Sequence, residues 1–282
     1  MLPEQFLNRM KQMLGDEFPA FLESYEQDKY QALRINPQKT TISSFMEKSP
    51  FLLKQVPWEK NGFYYQKTDA PGKHPYHAAG VYYIQEPSAM APAAYLEAQP
   101  GERVLDLCAA PGGKSTQIAA AMGGEGLLIS NEIHPARAKI LSENIERMGI
   151  RNGMVINESP QSLAKIFESY FDRIMVDAPC SGEGMFRKNT DACEEWSPEN
   201  VENCAMRQQE ILICAAFMLR PGGRIVYSTC TFAPEENEGT ISRFLEEHPE
   251  FHMVEVPLYE GMSPARPEWT KHPAKDLQPG IR

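Results

Sequence analysis

The stretch from Val176 to Arg187, VDAPCSGEGMFR, ends an apolar run with an acid, a proline and a cysteine and continues in small residues. A second apolar run, Arg224 to Phe232 (RIVYSTCTF), also delivers a cysteine to its C-terminal end. If both runs are strands of an open α/β sheet, Asp177, Cys180 and Cys230 gather outside the carboxyl ends of the strands, where ligands bind in such folds. Two thiols and a carboxylate placed there can supply a nucleophile and an acid or base. A free cysteine is more often a small buried hydrophobe, and that reading serves for Cys108, Cys193, Cys204 and Cys214. Cys230 stands apart, flanked by Thr229 and Thr231 just ahead of a helix expected to begin at PEEN. A helix N-terminus there would lower a thiol pKa from its usual value of about 8.5. The loop PCSGEGMFRK is small enough for a ligand to approach its backbone, with Arg187 and Lys188 offering charge to a phosphate.

A second cluster lies upstream, in VLDLCAAPGGKSTQIA, Val104 to Ala119. Glycines directly after a strand allow a tight turn and leave room for a ligand against the following helix. The pattern is neither the phosphate loop GxxxxGK[ST] nor GxGxxG. One helix later Glu132 falls just past the next apolar run, where an acidic side chain accepts hydrogen bonds from a ribose diol. Singly, Gly112 and Gly113 read as a plain turn and Glu132 as a helix-start carboxylate. Their order along the chain points to a nucleoside-type cofactor.

These residues need a scaffold. Strands are expected at Arg103 to Leu107, Leu127 to Asn131, Met154 to Asn157, Arg173 to Asp177 and Arg224 to Thr229. Helices follow the first two, and a long one runs from about Pro198 to Leu219. This alternation implies a Rossmann-like, doubly wound parallel sheet. Phe251 to Val256 is expected to add a strand, and Pro257 to Arg282 shows no period. Ahead of the sheet, Leu2 to Gln27 reads as two amphipathic helices broken near Gly15. Tyr30 to Gly80 shortens into β-like pieces that fit a small α+β domain. The expected division is therefore 1–80 and 81–282. Arg34, several lysines and His74 and His77 interleave there with aromatic residues, the composition of a surface that holds phosphates and stacks bases. Solvated lysines around a small aromatic core fit equally well.

The chain has 282 residues, 42% of them hydrophobic, six cysteines and a formal net charge of -10. It holds no apolar run of spanning length and no secretory leader pattern, so a cytoplasmic protein is expected. The cysteines form no CxxC pair and lack histidines at ligand spacing, which argues against disulfides and against a metal site. The acidic balance repels nucleic acid at long range, so any such partner must meet a local basic patch.

Together LDLCAAPGGKSTQIA, VDAPCSGEGMFRK and VYSTCTFAPEENEG, with QEPSAM upstream, resemble the motifs of the S-adenosylmethionine-dependent RNA cytosine-5 methyltransferases, most closely the bacterial ribosomal RNA branch. The match spans roughly Leu33 to Gly239. It implies a methyltransferase sheet, S-adenosyl-L-methionine as cofactor, RNA as partner, no membrane and a monomer. Cys108, Ala109, Ala110, Pro111, Gly112, Gly113, Lys114, Glu132, Asn157 and Asp177 would surround the cofactor. Asp177 would also meet the target base, Cys180 would assist product release, and Cys230 would be the nucleophile. Arg34, Arg187 and Lys188 would contact RNA. Where the family commonly places an Asp for the adenine, this chain has INESPQ, with Ser159 nearest and Asn157 or Glu158 in its stead. The sequence stops at LQPGIR, so the sheet is expected to lack the family's final antiparallel strand and the chain its C-terminal RNA-binding domain. Two further readings remain: the same reaction on transfer RNA, and a non-catalytic RNA-binding assembly module.

Overall fold

The computed structural model describes residues 2–189 and 191–281; residues 1 and 282, the outer ends of the two expected domains, lie outside them. The chain forms two discontinuous compact units. One comprises residues 30–177 and 214–227, the other residues 1–29, 178–213 and 228–282. Neither unit ends at residue 80.

The first unit contains two sheets. The smaller has the order β2-β3-β1-β4, formed by β1 (Ala32–Ile35), β2 (Lys54–Gln55), β3 (Gly62–Tyr64) and β4 (Tyr82–Ile84). Its pairs are antiparallel, with α3 (Ile42–Lys48) and α4 (Pro75–Ala78) in the connections. The larger begins after α5 (Ala91–Leu96) and comprises β5 (Arg103–Asp106), β6 (Leu127–Asn131), β7 (Gly153–Ile156), β8 (Phe171–Asp177) and β9 (Leu219–Ser228). Its order is β7-β6-β5-β8-β9, with β5 parallel to both β6 and β8 and β6 parallel to β7. This is a Rossmann-like doubly wound sheet, as the alternation of apolar runs and helices implies. Helices α6 (Gly113–Met122), α7 (Pro135–Met148) and α8 (Pro160–Ala164) connect its first four strands. α5 and α6 bury Leu96, Ile118 and Met122 against Val104, Leu128 and Met175. α7 buries Leu141 and Ile145 against Ala109 and Val155. Apolar burial on this scale supplies the main driving force for both layers.

The second unit is built around Phe6, Met10 and Leu14 of α1 (Glu4–Leu14), packed with Phe186, Trp196, Val201 and Ala233. α2 (Phe18–Ser24) follows a single tight turn that begins at Gly15, near which the break between the two amphipathic helices was expected. α9 (Asp191–Glu195), most of α10 (Pro198–Met218) and α11 (Glu238–Glu247) complete it. Two expectations fail here. Phe251 to Val256 forms no strand. A lone extended segment needs a ladder partner, and Phe251 instead closes the end of α11 by packing on Phe244 with ring centroids 5.0 Å apart. The helix expected at PEEN starts later, at Glu238, because residues 234–237 are consumed by a turn in which Gly239 N–H reaches the Pro234 carbonyl at 2.7 Å.

Arg34 is the main correction to the expected RNA surface. It sits on β1, the inner strand between β3 and β4, and is fully buried. Its guanidinium donates to Gln85 Oε1 (3.1 Å), the Gly113 carbonyl (3.0 Å) and Thr116 Oγ1 (2.6 Å), and lies over the Tyr83 ring. Burial lowers its pKa to about 10, which leaves it charged at neutral pH. It joins the small sheet to the first turn of α6, so its fork serves packing and cannot reach a phosphate. Lys39 is diverted in a similar way, donating to the carbonyls of Ala79 (2.5 Å) and Arg147 (2.7 Å) at a helix C-terminus.

Two outcomes follow for this unit. Arg34→Met leaves buried acceptors without their donor and should cost about 3 kcal/mol of stability. Thermal unfolding checks this, and an unchanged melting temperature with weakened RNA binding would restore the surface role. Asp106, fully buried on β5, accepts from Ser115 Oγ at 2.7 Å, and burial raises its carboxyl from 3.8 to about 7. The folded chain then holds this proton more tightly than the unfolded one. The stabilising contribution is complete below about pH 4 and vanishes as pH rises through about 7. Asp106→Asn should therefore lose less stability between pH 4 and 7.5 than the parent chain, and equal slopes would contradict the burial argument.

Candidate functional site

In the sheet unit the expected cofactor residues line up at the carboxyl ends of β5, β6, β7 and β8. After Leu107 the chain turns through Cys108, Ala109, Ala110 and Pro111, and Ala109 N–H is held by the Asn131 carbonyl at 2.8 Å. Gly112 N–H donates to the Ala109 carbonyl at 2.8 Å, closing the turn. Gly112 adopts φ of 111°, a left-handed value that only glycine takes without strain, and α6 starts at the next residue. Two side chains of α7 hold the loop from outside: Arg137 donates to the Ala110 carbonyl (3.1 Å) and Asn144 to the Pro111 carbonyl (2.8 Å). Burial pushes the Cys108 thiol well up, so it stays protonated and is no nucleophile.

Glu132 follows β6 and is almost wholly enclosed. Its carboxylate accepts from His134 N–H at 3.0 Å and pairs with Arg137 at 3.3 Å. Asn157, just past β7, donates through Nδ2 to the Glu132 carbonyl at 2.6 Å, which ties the two strand ends together. Glu158 N–H is held by Asn131 Oδ1 at 3.1 Å, and Ser159 caps α8 by accepting from Ser162 N–H at 3.1 Å. Asp177 closes β8, and Lys114 Nζ donates to its Oδ2 at 2.7 Å. The set fits an S-adenosylmethionine-like molecule in its chemistry. Lys114 is a cation for a carboxylate, Glu132 an acceptor for hydroxyls, and Asn157 an amide at the next strand end.

In the other unit, the loop after β8 and the loop after β9 are fastened side by side. Ala178 N–H donates to the Ser228 carbonyl and Gly184 N–H to the Cys230 carbonyl, both at 2.8 Å. A Cβ at Gly184 would stand 2.9 Å from that carbonyl oxygen, so glycine is required for the approach. Cys180 and Cys230 are brought together with Sγ atoms 3.1 Å apart, and Cys230 N–H points at Cys180 Sγ (3.3 Å). Cys230 is exposed and Cys180 half-buried. The hydrogen bond to Cys230, followed by burial, raises the Cys180 thiol strongly. Cys180 therefore keeps its proton and can give the hydrogen bond to a Cys230 thiolate. α11 starts at Glu238, eight residues beyond Cys230 rather than at PEEN, and its N-cap residue Asn237 accepts from Thr229 Oγ1 (2.6 Å) and donates to the Thr231 carbonyl (3.1 Å) on either side of Cys230.

Sequence reasoning missed the carboxylates that hold these loops. Glu236 Oε2 accepts from Ser181 N–H (2.9 Å) and Gln208 Nε2 (2.8 Å), while Gln208 also donates to the Pro179 carbonyl (3.0 Å). Both neighbours of Cys180 are thus fixed. Ser181 Oγ and Thr231 Oγ1 share a bond of 2.8 Å across the two loops. Glu183, fully buried, holds the other side. The available signal was a single acid between two glycines in a loop of small residues. Arg187 is half-buried and donates to the Gln27 carbonyl at 2.6 Å, and Lys188 is exposed. Among the described residues no group of three His, Cys, Asp or Glu side chains could hold a metal ion. No helix among them is long and apolar enough to cross a membrane.

The chain is similar to known proteins. Residues 93–278 match the family model described as 16S rRNA methyltransferase RsmB/F, and residues 2–87 match the N-terminal domain of 16S rRNA methyltransferase RsmF. Ribosomal RNA small subunit methyltransferase F of Erwinia tasmaniensis is 38% identical over 264 residues, covering 90% of this chain and 55% of that protein. The protein of the same name from Escherichia fergusonii is 38% identical over 88% of this chain and 54% of its own length. This chain thus spans about half the length of the curated relatives it matches. A solved structure, a methyltransferase homolog protein from Pyrococcus horikoshii, is 30% identical with a TM-score of 0.83, covering 97% of this chain and 87% of that one. The chain belongs to the 16S rRNA methyltransferase RsmB/F family.

Proposed function

We propose that this protein transfers a methyl group from S-adenosylmethionine to carbon 5 of a cytidine in small-subunit ribosomal RNA, through a covalent adduct with Cys230. The observation that carries the reading is the pair of thiols 3.1 Å apart, one exposed and one half-buried. Cys180 lies three residues past the end of β8 and Cys230 two past the end of β9. The relatives named above carry the ribosomal RNA part of the reading.

Carbon 5 of cytosine is too weak a nucleophile to take a methyl group unaided. The Cys230 thiolate adds to carbon 6, forming a C–S bond and moving electron density onto carbon 5. Cys180 S–H, by donating to Cys230 Sγ, favours the thiolate at Cys230 over its own. As the thiolate adds, N3 takes a proton from water and its N–H donates to the Asp177 carboxylate, which stabilises the charge that develops on the ring. When bound, the cofactor supplies an electrophilic methyl group on a sulfonium. Lys114, Glu132, Asn157 and the 108–113 loop hold that molecule by its carboxylate, ribose and main-chain-facing parts. Once carbon 5 is methylated its hydrogen leaves as a proton to a water that Cys180 orients. The C–S bond then breaks and the Cys230 thiolate is released. The base must be unstacked first, which costs a few kcal/mol and favours loops and partly single-stranded segments. Lys188 is the exposed cation for the flanking phosphate. Arg187, engaged with the Gln27 carbonyl, shapes the loop that presents it.

The two thiols are separable by experiment. Cys230→Ala should abolish both methylation and the covalent protein–RNA complex. Cys180→Ala should turn over at a few per cent of the parental rate or less while accumulating that complex. Denaturing electrophoresis with labelled small-subunit ribosomal RNA and with transfer RNA reads both outcomes. A complex formed only through Cys180 would reverse the roles, and methylation of transfer RNA alone would replace the substrate.

A further inference from the structure

The N-terminal segment reads from sequence only as two amphipathic helices, yet its side chains reach the loops that carry Cys180 and Cys230. Glu183, between the two glycines of SGEG, is fully buried and its carboxylate accepts three hydrogen bonds. Oε1 receives Arg9 Nη2 of α1 and Trp196 Nε1 (2.9 Å), and Oε2 receives Phe232 N–H at 3.1 Å. Phe232 is two residues past Cys230, and the next residue after Glu183, Gly184, donates to the Cys230 carbonyl at 2.8 Å. Residues 183 and 184 thus grip the main chain at and just beyond Cys230. A carboxylate so enclosed remains charged only with a cation beside it. Arg9 is that cation. It is itself wedged between aromatic rings, its guanidinium carbon 5.6 Å from the Trp196 ring centroid and 5.8 Å from that of Phe6. Phe21 of α2 adds a second support by meeting the Phe232 ring edge-on at 5.6 Å.

We propose that Arg9 and Glu183 are positioning residues for Cys230, so that the N-terminal helix pair sets the rate of covalent attack on the base. This rests on Cys230 being the nucleophile. With Arg9 removed, Glu183 either takes a proton, and one oxygen turns from acceptor to donor, or swings toward water. Both alternatives release Phe232 N–H and let the Cys230 main chain drift. Cofactor binding does not depend on the pair, since none of the residues proposed to hold the cofactor belongs to this network. A nucleophile misplaced by a fraction of an ångström to one ångström costs about ten- to a hundredfold in rate.

The test uses the whole chain and a small-subunit ribosomal RNA transcript in which 5-fluorocytidine replaces cytidine, so that the adduct cannot be released. In Arg9→Met the single-turnover rate of adduct formation should fall at least about tenfold. Affinities for the RNA and for S-adenosylmethionine should stay within about twofold, and Arg9→Lys, which restores the cation, should regain most of the rate. Glu183→Gln combined with Arg9→Met should be no slower than Glu183→Gln alone, because one network is cut once. If Arg9→Met does not fold, as judged by circular dichroism, the Glu183→Gln and Arg9→Lys rates decide instead. A folded Arg9→Met or Glu183→Gln variant with a parental adduct rate overturns the proposal. An adduct that persists in Cys230→Ser overturns the nucleophile assignment itself, whatever Arg9 does.

Discussion

The clamp between two loops is the constraint on which the thiol chemistry depends. Apart from one 3-10 turn at Glu183–Met185 the two loops have no regular structure of their own, and each would sample many conformations if left alone. Two buried carboxylates prevent this. Glu236 fixes the residues on either side of Cys180, directly and through Gln208, and Glu183 fixes the segment that follows Cys230. Direct contacts, Ser181 with Thr231 and Gly184 with Cys230, close the gap. Burying charge is costly, and the cost is offset here by the hydrogen bonds that the two carboxylates accept, the one from the Arg9 cation among them.

The clamp also divides labour between two identical functional groups. Two thiols in contact cannot both ionise readily, because a second thiolate would face the first across 3.1 Å. The half-buried partner holds its proton and the exposed one is left to react. In the proposed reaction, an environment that pushes two like groups apart separates the proton-holding thiol from the nucleophile without any difference in residue type. In the sheet unit the same economy appears at Asp177, whose carboxylate is oriented by the Lys114 amine.

Much of this was legible in the sequence, for a physical reason. Parallel strands buried on both faces read as continuous apolar runs, and each ends where polar residues begin, so 103–106, 127–131 and 171–177 were predictable to within two residues. Cys180 and Cys230 stood out because they fall at such ends. Buried charge was not legible. Arg34 sits among aromatic residues and lysines exactly as a solvated cation would, and only the strand order places it between β3 and β4. Arg9 and Glu183 are 174 residues apart in sequence, and nothing local to either announces the other. The segment 251–256 has strand-like alternation but no ladder to join, and PEEN has helix-start composition but turns first. Period and composition report what a segment can do locally. Partners far along the chain decide the rest.

The contact between the two sulfurs is open to direct measurement in solution. The reduced protein would be treated with dibromobimane, which fluoresces when it bridges two nearby thiols, and the product mapped by mass spectrometry of its peptides. The expected result is one bridge, joining Cys180 to Cys230, with Cys108, Cys204 and Cys214 unmodified. Separate single modification of Cys180 and Cys230, or a bridge between any other pair, would contradict the clamp and the chemistry built on it.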